Sequence, residues 1–168
     1  MIYFTSDLHA FHKNIITYDN LPFSSLEDYR EFIIKTWNDR VTDEDEVYLL
    51  GDTCVGGDKG DINNFLHRLE GTKYLIIGNH EKEILKVQRL RDHFTWIRDY
   101  FVLDYQKQRF ILMHYPIEEW QNKRAMSSIH LHGHSHGGSR REKNRLDVGF
   151  SASGLKIWSI DEIIEHMK

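Results

Sequence analysis

The chain has 168 residues, 40% of them hydrophobic, with 22 Lys+Arg against 26 Asp+Glu and a formal net charge of −4, a size and balance that suit one domain over 1–168 with a core that needs no staples. The mildly acidic balance has no large basic surplus to announce nucleic acid or an anionic membrane surface, so nucleic acid is not indicated as a partner. One cysteine, Cys54, leaves no internal disulfide and points to no disulfide-linked partner, no apolar run reaches the ~18 residues of a membrane span, and "MIYFTSDLHA" lacks a leader pattern, so a cytoplasmic protein without a membrane partner is expected.

The first apolar run, IYFTS (2–6), reads as a strand, and Asp7 and His9 follow it two residues apart, where both side chains can leave the same side of the chain. A carboxylate with an imidazole suits a borderline divalent ion such as Mn, Fe, Co, Ni or Zn. His12, three residues on, is a candidate for lining the same pocket or touching a phosphate oxygen. SLEDYREFIIKTWNDR reads as a helix: Leu26, Tyr29, Ile33 and Trp37 recur at helical spacing, Ser25 suits the N-cap, and acidic residues occupy the first turn.

EVYLL (46–50) is a second strand running into Gly51-Asp52, a pair that reads alone as a plain turn or as a carboxylate ligand. DINNFLHRLEG (61–71) begins acidic and ends in glycine, as a helix does. KYLII (73–77) precedes Asn79, a neutral oxygen ligand, and His80; EKEILKVQRL (81–90) is a third helix; RFILM (109–113) ends at His114, with Pro116 fixing the exit. IHLH (129–132) leads into GHSHGG with His134 and His136, and RLDVG (145–149) and LKIWSI (155–160) complete the strands. Strand and helix alternate through the first half and strands dominate the second, which predicts a layered α/β sandwich with its sheets covered on both faces. Trp37 and Trp158 belong to the core in this reading, and Cys54 is a small filler.

Histidine is the unusual entry in the composition, at eleven. Five apolar runs each end in ligand-type residues, and in layered α/β folds the carboxyl ends of the strands converge on one crevice. Asp7, His9, Asp52, Asn79, His114, His134 and His136 are too many ligands for one ion and suit two that share a carboxylate. In IHLHGHSHGG the period of two puts His130 and His132 on the strand, where they pack or hydrogen-bond beneath the site. Gly133 then marks where the backbone leaves the strand and His134 and His136 become free to address two ions.

The blocks SDLH, GD, GNHE, the lone histidine of LMHYP and GHSH, in this order and spacing, resemble the calcineurin-like metallophosphoesterase superfamily, in particular its small bacterial and phage-type members. The resemblance spans residues 7 to 136 and implies an α/β/β/α sandwich with the metal site at the carboxyl ends of the strands. It implies that Asp7, His9 and His136 hold one divalent ion, Asn79, His114 and His134 a second, Mn²⁺ being expected, and that Asp52 bridges them. It further implies hydrolysis of a phosphoester through a metal-bridging hydroxide, with His80 binding no metal and acting as general acid or stabiliser of developing charge.

Members acting on phosphoproteins carry G-D-x-x-D-R-G, whereas this chain has GDTCVGG with Val55 at the carboxylate position. A small phosphorylated substrate, such as a phosphodiester or nucleotide, is therefore expected, and Glu81 or Asp58 is a candidate for orienting His80. Arg140, Arg141 and Arg145 are candidate phosphate contacts, because guanidinium forks match phosphate oxygens. A nuclease or nucleotide pyrophosphatase is the alternative within the superfamily, although no basic, aromatic-interleaved groove points to nucleic acid. A non-catalytic metal-binding scaffold is the alternative of another class.

Overall fold

The computed structural model describes residues 1–125, 127–140 and 142–168. Among these residues, nine strands form two mixed sheets. In the first, β1 (Ile2–Thr5), β2 (Glu46–Leu49), β3 (Thr72–Ile76) and β4 (Ile97–Arg98) are parallel neighbours, and β9 (Trp158–Ser159) pairs antiparallel with β1. In the second, β5 (Tyr100–Tyr105) lies antiparallel to β6 (Gln108–Met113), while β6, β7 (Ser128–His132) and β8 (Arg145–Asp147) run parallel.

Strand alternation divides the core in two. Tyr3, Val47, Leu49 and Leu75 face the helices α2 (Leu26–Asn38) and α3 (Lys59–His67). Phe4, Tyr48, Leu50 and Ile76 face Phe110, Leu112, Ile129 and Leu131 of the second sheet. Because adjacent side chains point to opposite faces, near-continuous apolar strands are what a sheet covered on both sides requires. The layered α/β architecture expected from the sequence is present, and among the described residues no helix is long and apolar enough to cross a membrane.

α2 forms as its pattern predicts. The Ser25 hydroxyl accepts from the Asp28 N–H at 3.1 Å, Tyr29, Ile33, Ile34 and Trp37 are buried, and the Tyr29 hydroxyl donates to the Leu8 carbonyl at 3.0 Å. That last bond ties the helix to the loop carrying Asp7 and His9. α3 begins earlier than expected, at Lys59, because Asp58 caps it by accepting from the Gly60 N–H. The 81–90 segment is interrupted at Val87, whose extended backbone separates α4 (Lys82–Lys86) from α5 (Gln88–Arg91).

Two sequence expectations are corrected. LKIWSI (155–160) is not one strand: only Trp158–Ser159 pairs, and α6 (Ile160–His166) starts at Ile160. Ser159 and Glu162 form a reciprocal capping box, whose S-x-x-E signature was present in the sequence and outweighs the apolar run. YFVLDY (100–105), passed over in the sequence, is a six-residue strand, β5, stabilised by full antiparallel register with β6.

His130 and His132 lie on β7 and are buried, as their place before Gly133 implied. The His130 Nδ1–H donates to the Ile111 carbonyl at 3.0 Å, and its Nε2 accepts from the Ile117 N–H at 3.3 Å; Trp120 packs against the ring. Burial pushes its pKa down to about 4, so the folded protein holds it neutral. The unfolded chain titrates near 6.5, hence it binds the extra proton between those values, and stability falls as pH drops through that window. Metal-free protein is expected to lose about 3 kcal/mol more between pH 7 and pH 4 than its His130→Gln variant does. Urea unfolding at the two pH values checks this, and equal losses in the two proteins contradict it.

Candidate metal centre

Each candidate ligand follows the carboxyl end of a parallel strand: Asp7 and His9 after β1, Asp52 after β2, Asn79 after β3, His114 after β6, and His134 and His136 after β7. The loops are locked together by backbone. The Asp7 N–H donates to the Gly51 carbonyl at 3.0 Å, the His9 N–H to the Asp52 carbonyl at 3.0 Å, and the Gly133 N–H to the His114 carbonyl at 2.9 Å. Asp7, His9, Asp52, His134 and His136 all have positive φ, between 44° and 66°. Left-handed backbone is costly for residues with a Cβ, and its concentration here aims five side chains inward at an expense the fold must offset.

Two groups result, each offering ligand atoms within 4.8 Å of one another: Asp7, His9 and His136, and Asp52, His114 and His134. Asp52 lies between them, with Oδ2 3.6 Å from both His9 Nε2 and His114 Nε2. Asn79 completes the second group, its Oδ1 lying 3.0 Å from His114 Nε2 and 2.9 Å from His134 Nδ1. Both ring nitrogens of His9 are buried without a hydrogen-bond partner among the described residues, a costly state that a bound cation would relieve. With mixed carboxylate, amide and imidazole donors, the two groups could hold divalent metal ions.

Outer contacts fix the ligands. The His114 Nδ1–H donates to the Leu50 carbonyl at 2.7 Å, which leaves Nε2 free for a cation. Asp7 accepts from the His134 N–H at 2.9 Å. Burial pushes the Asp7 carboxyl up, but the His9 ring and the Ser6 hydroxyl outweigh it and hold the group below its ordinary value. Asp147, at the end of β8 and in register with His132, accepts from the Ser135 hydroxyl at 2.8 Å and the Gly137 N–H at 2.9 Å, which shapes the GHSHGG loop.

Glu81 does not orient His80. Its buried carboxylate accepts from the backbone N–H groups of Asp52 at 2.7 Å, Thr53 at 2.9 Å and Gly78 at 3.0 Å, stapling two ligand loops, and burial raises its pKa. Asp58 is spent on its helix cap. His80 donates its own N–H to Asp52 Oδ1 at 2.9 Å, and its exposed ring sits 5.7 Å from that of His9. Arg140 is exposed and lines a different cavity of about 410 Å³, none of whose lining residues belongs to either metal group. Arg145 is engaged with the Ile117 and Arg140 carbonyls, a structural use of its guanidinium, and Arg141 lies outside the described residues. His12 does reach the centre: with Ile15, Tyr18 and Asp19 it lines a cavity of about 300 Å³ that also touches His9, His80 and His136.

Asp19 had no signal in the sequence. Its Oδ2 accepts from His136 Nδ1 at 2.7 Å across 117 residues and from the Ser151 hydroxyl at 2.5 Å. Burial pushes the carboxyl up, but the bonds from His136 and Ser151 prevail and hold it below its ordinary range; its bond in turn raises the His136 pKa. A carboxylate on the far nitrogen fixes the ring and strengthens it as a ligand. Asp19→Ala is accordingly expected to weaken divalent-ion binding about tenfold or more in calorimetric titration; unchanged affinity would leave the contact merely structural.

Among known proteins, a family model described as calcineurin-like phosphoesterase matches residues 1–165. The uncharacterized protein MJ1445 of Methanocaldococcus jannaschii is 31% identical over 172 residues, covering 98% of this chain and 89% of the relative. The gene 66 protein of Mycobacterium phage D29 is 28% identical over 162 residues, covering 80% and 78% respectively. The crystal structure of AQ665, a protein of unknown function from Aquifex aeolicus, superposes with a TM-score of 0.77 at 25% identity, covering 99% of this chain and 98% of that one. The family match over nearly the whole chain and the paired His/Asp groups agree: the chain belongs to the calcineurin-like phosphoesterase family.

Proposed function

We propose that this protein is a dinuclear metal-dependent phosphoesterase that hydrolyses small phosphodiesters, with Mn²⁺ as its expected metal. The observation that carries the reading is Asp52, one carboxylate equidistant at 3.6 Å from a histidine of each metal group. Asp7, His9 and His136 would hold one ion, Asn79, His114 and His134 the other, with Asp52 common to both. When bound, such a pair supplies polarisation of the phosphoryl oxygens and a water acidified enough to attack near neutral pH.

The rest falls to side chains. His80, outside both groups and on the cavity wall, is the residue placed to give a proton to the departing ester oxygen or to offset its developing charge. Asp52 also fixes the His80 backbone, which couples the acid to the centre. The ligand histidines must be neutral, so activity is expected to decline in acid. A diester fits better than a phosphoprotein: Val55 replaces the second carboxylate of the phosphoprotein motif, and the cavity of about 300 Å³ is at the small end for ligand sites.

Hydrolysis of bis(p-nitrophenyl) phosphate with added Mn²⁺ tests this. His80→Ala is expected to lower kcat about a hundredfold with metal content unchanged. Two ions bound without turnover of any diester, mononucleotide, dinucleotide or oligonucleotide would instead favour a metal-binding scaffold, and preference for oligonucleotides or nucleoside diphosphates would favour a nuclease or pyrophosphatase.

A further inference from the structure

The two ligand histidines of GHSHGG belong to different metal groups, and the backbone that carries them is held unequally. His134 has anchors of its own: its N–H donates to Asp7 Oδ2 at 2.9 Å, and the Gly133 N–H before it donates to the His114 carbonyl at 2.9 Å. His136 is reached by neither. It sits at φ 44° beside Gly137 at φ 81°, two consecutive left-handed positions, and a residue with a Cβ stays in that region only when its surroundings enforce it. The bonds on either side of it end on one carboxylate. Asp147 Oδ2 accepts from the Ser135 hydroxyl at 2.8 Å and from the Gly137 N–H at 2.9 Å, which brackets His136 in the chain.

The other oxygen reaches across the seam between the sheets. Asp147 Oδ1 accepts from the Gly149 N–H at 2.8 Å. Gly149 forms a parallel bridge to Ser6, the residue before Asp7, and the Phe150 N–H donates to the Ser6 carbonyl at 2.8 Å. The approach is close enough that a Cβ on Gly149 would stand 3.2 Å from Asp7 Oδ2. Asp147 therefore ties the loop of His136, which leaves the second sheet, to the strand end that presents Asp7 and His9, which leaves the first. Those two segments supply the whole of the first metal group. We infer that Asp147 is a positioning residue for the first ion: it contacts neither metal nor substrate, and it holds the His136 backbone so that Nε2 stays 3.9 Å from Asp7 Oδ1, within reach of a common cation. Asp19 orients the ring of His136, whereas Asp147 places its backbone. The inference rests on the two-ion part of the proposed function and not on hydrolysis.

Calorimetric titration of the full chain with Mn²⁺ tests it. Asp147→Ala is expected to weaken one ion about tenfold or more and to leave the other within about threefold of wild type. Double variants identify the ion. In a His136→Ala background Asp147→Ala is expected to change the remaining affinity by less than about threefold, because both substitutions act on the same ion; in a His114→Ala background it is expected to weaken the remaining ion about tenfold. A general loosening of the fold would weaken the remaining ion in both backgrounds and overturns the assignment, as do equal losses at the two ions of the single variant or no loss at either. Asp147→Asn keeps a carbonyl oxygen for Ser135 and Gly137 and is expected to hold the first ion within about threefold of wild type; a loss as large as that of alanine overturns the clamp. Should Asp147→Ala fail to fold, Ser135→Ala carries the test, with a loss of about fivefold expected at the first ion alone and an unchanged first ion overturning the assignment. Wild-type protein that binds fewer than two ions overturns the two-ion reading and this assignment with it. The expected pattern without hydrolysis of any ester sustains the assignment while the catalytic reading fails.

Discussion

Asp52→Asn is expected to lower Mn²⁺-dependent hydrolysis of bis(p-nitrophenyl) phosphate about a thousandfold, corresponding to about 4 kcal/mol of lost transition-state stabilisation. Asparagine is nearly isosteric and tolerates the left-handed backbone that Asp52 adopts at φ 53°. The substitution therefore removes charge and leaves shape. What it removes is the one carboxylate 3.6 Å from both His9 and His114, so affinity for both ions suffers together. Calorimetric titration of the metal alongside the assay distinguishes a lost ion from a lost catalytic contact. Circular dichroism and Tm near wild type are expected, and retention of activity within tenfold would remove the basis for assigning Asp52 to the shared position.

The second large effect is steric. A Cβ built on Gly133 would stand 1.9 Å from Ser6 Oγ and 2.2 Å from Asp7 Oδ2. Neither neighbour can retreat cheaply: the Ser6 hydroxyl donates to the Leu50 carbonyl at 2.9 Å, and the Asp7 carboxylate accepts from the His134 N–H. Gly133→Ala is expected to cost about 3 kcal/mol, the upper end of ordinary overpacking, and to lower Tm by about 10 °C. By displacing Asp7 it is also expected to reduce tight metal binding from two ions to one. Gly154→Ala is the comparison, because Gly154 has φ +71° and no atom within 4 Å of the added Cβ. It carries only backbone strain, expected at about 1 kcal/mol with both ions retained. If the two alanine variants proved equally stable, close approach at Gly133 would not be what demands glycine there.

These two residues mark how far the sequence could be read. Asp7, His9, Asp52, Asn79, His114, His134 and His136 were legible because each follows an apolar strand, and parallel strands of covered sheets bring their carboxyl ends to one edge. Gly133 was legible as the point where β7 ends, separating the packed His130 and His132 from the ligand-type His134 and His136. The capping box at Ser159 was equally present in the letters and was obscured by the apolar run before it. β5 had the same standing: YFVLDY carries the aromatic and branched residues of a strand, and only its register with β6 needed the packed sheet.

The sequence by itself determined the fold class, the strand-end positions of the candidate ligands and the family, because these depend on local periodicity and on motif order along the chain. Tertiary structure alone decided which residues support them. Glu81 proved to staple two loops through three backbone N–H groups instead of orienting His80. Arg140 faces a separate cavity, and Asp19 meets His136 across 117 residues. Such contacts are set by how the two sheets and the loop after α1 (Ile15–Tyr18) close upon each other. Hydrogen bonds of that range have no period in the sequence, so only the packed chain could assign them.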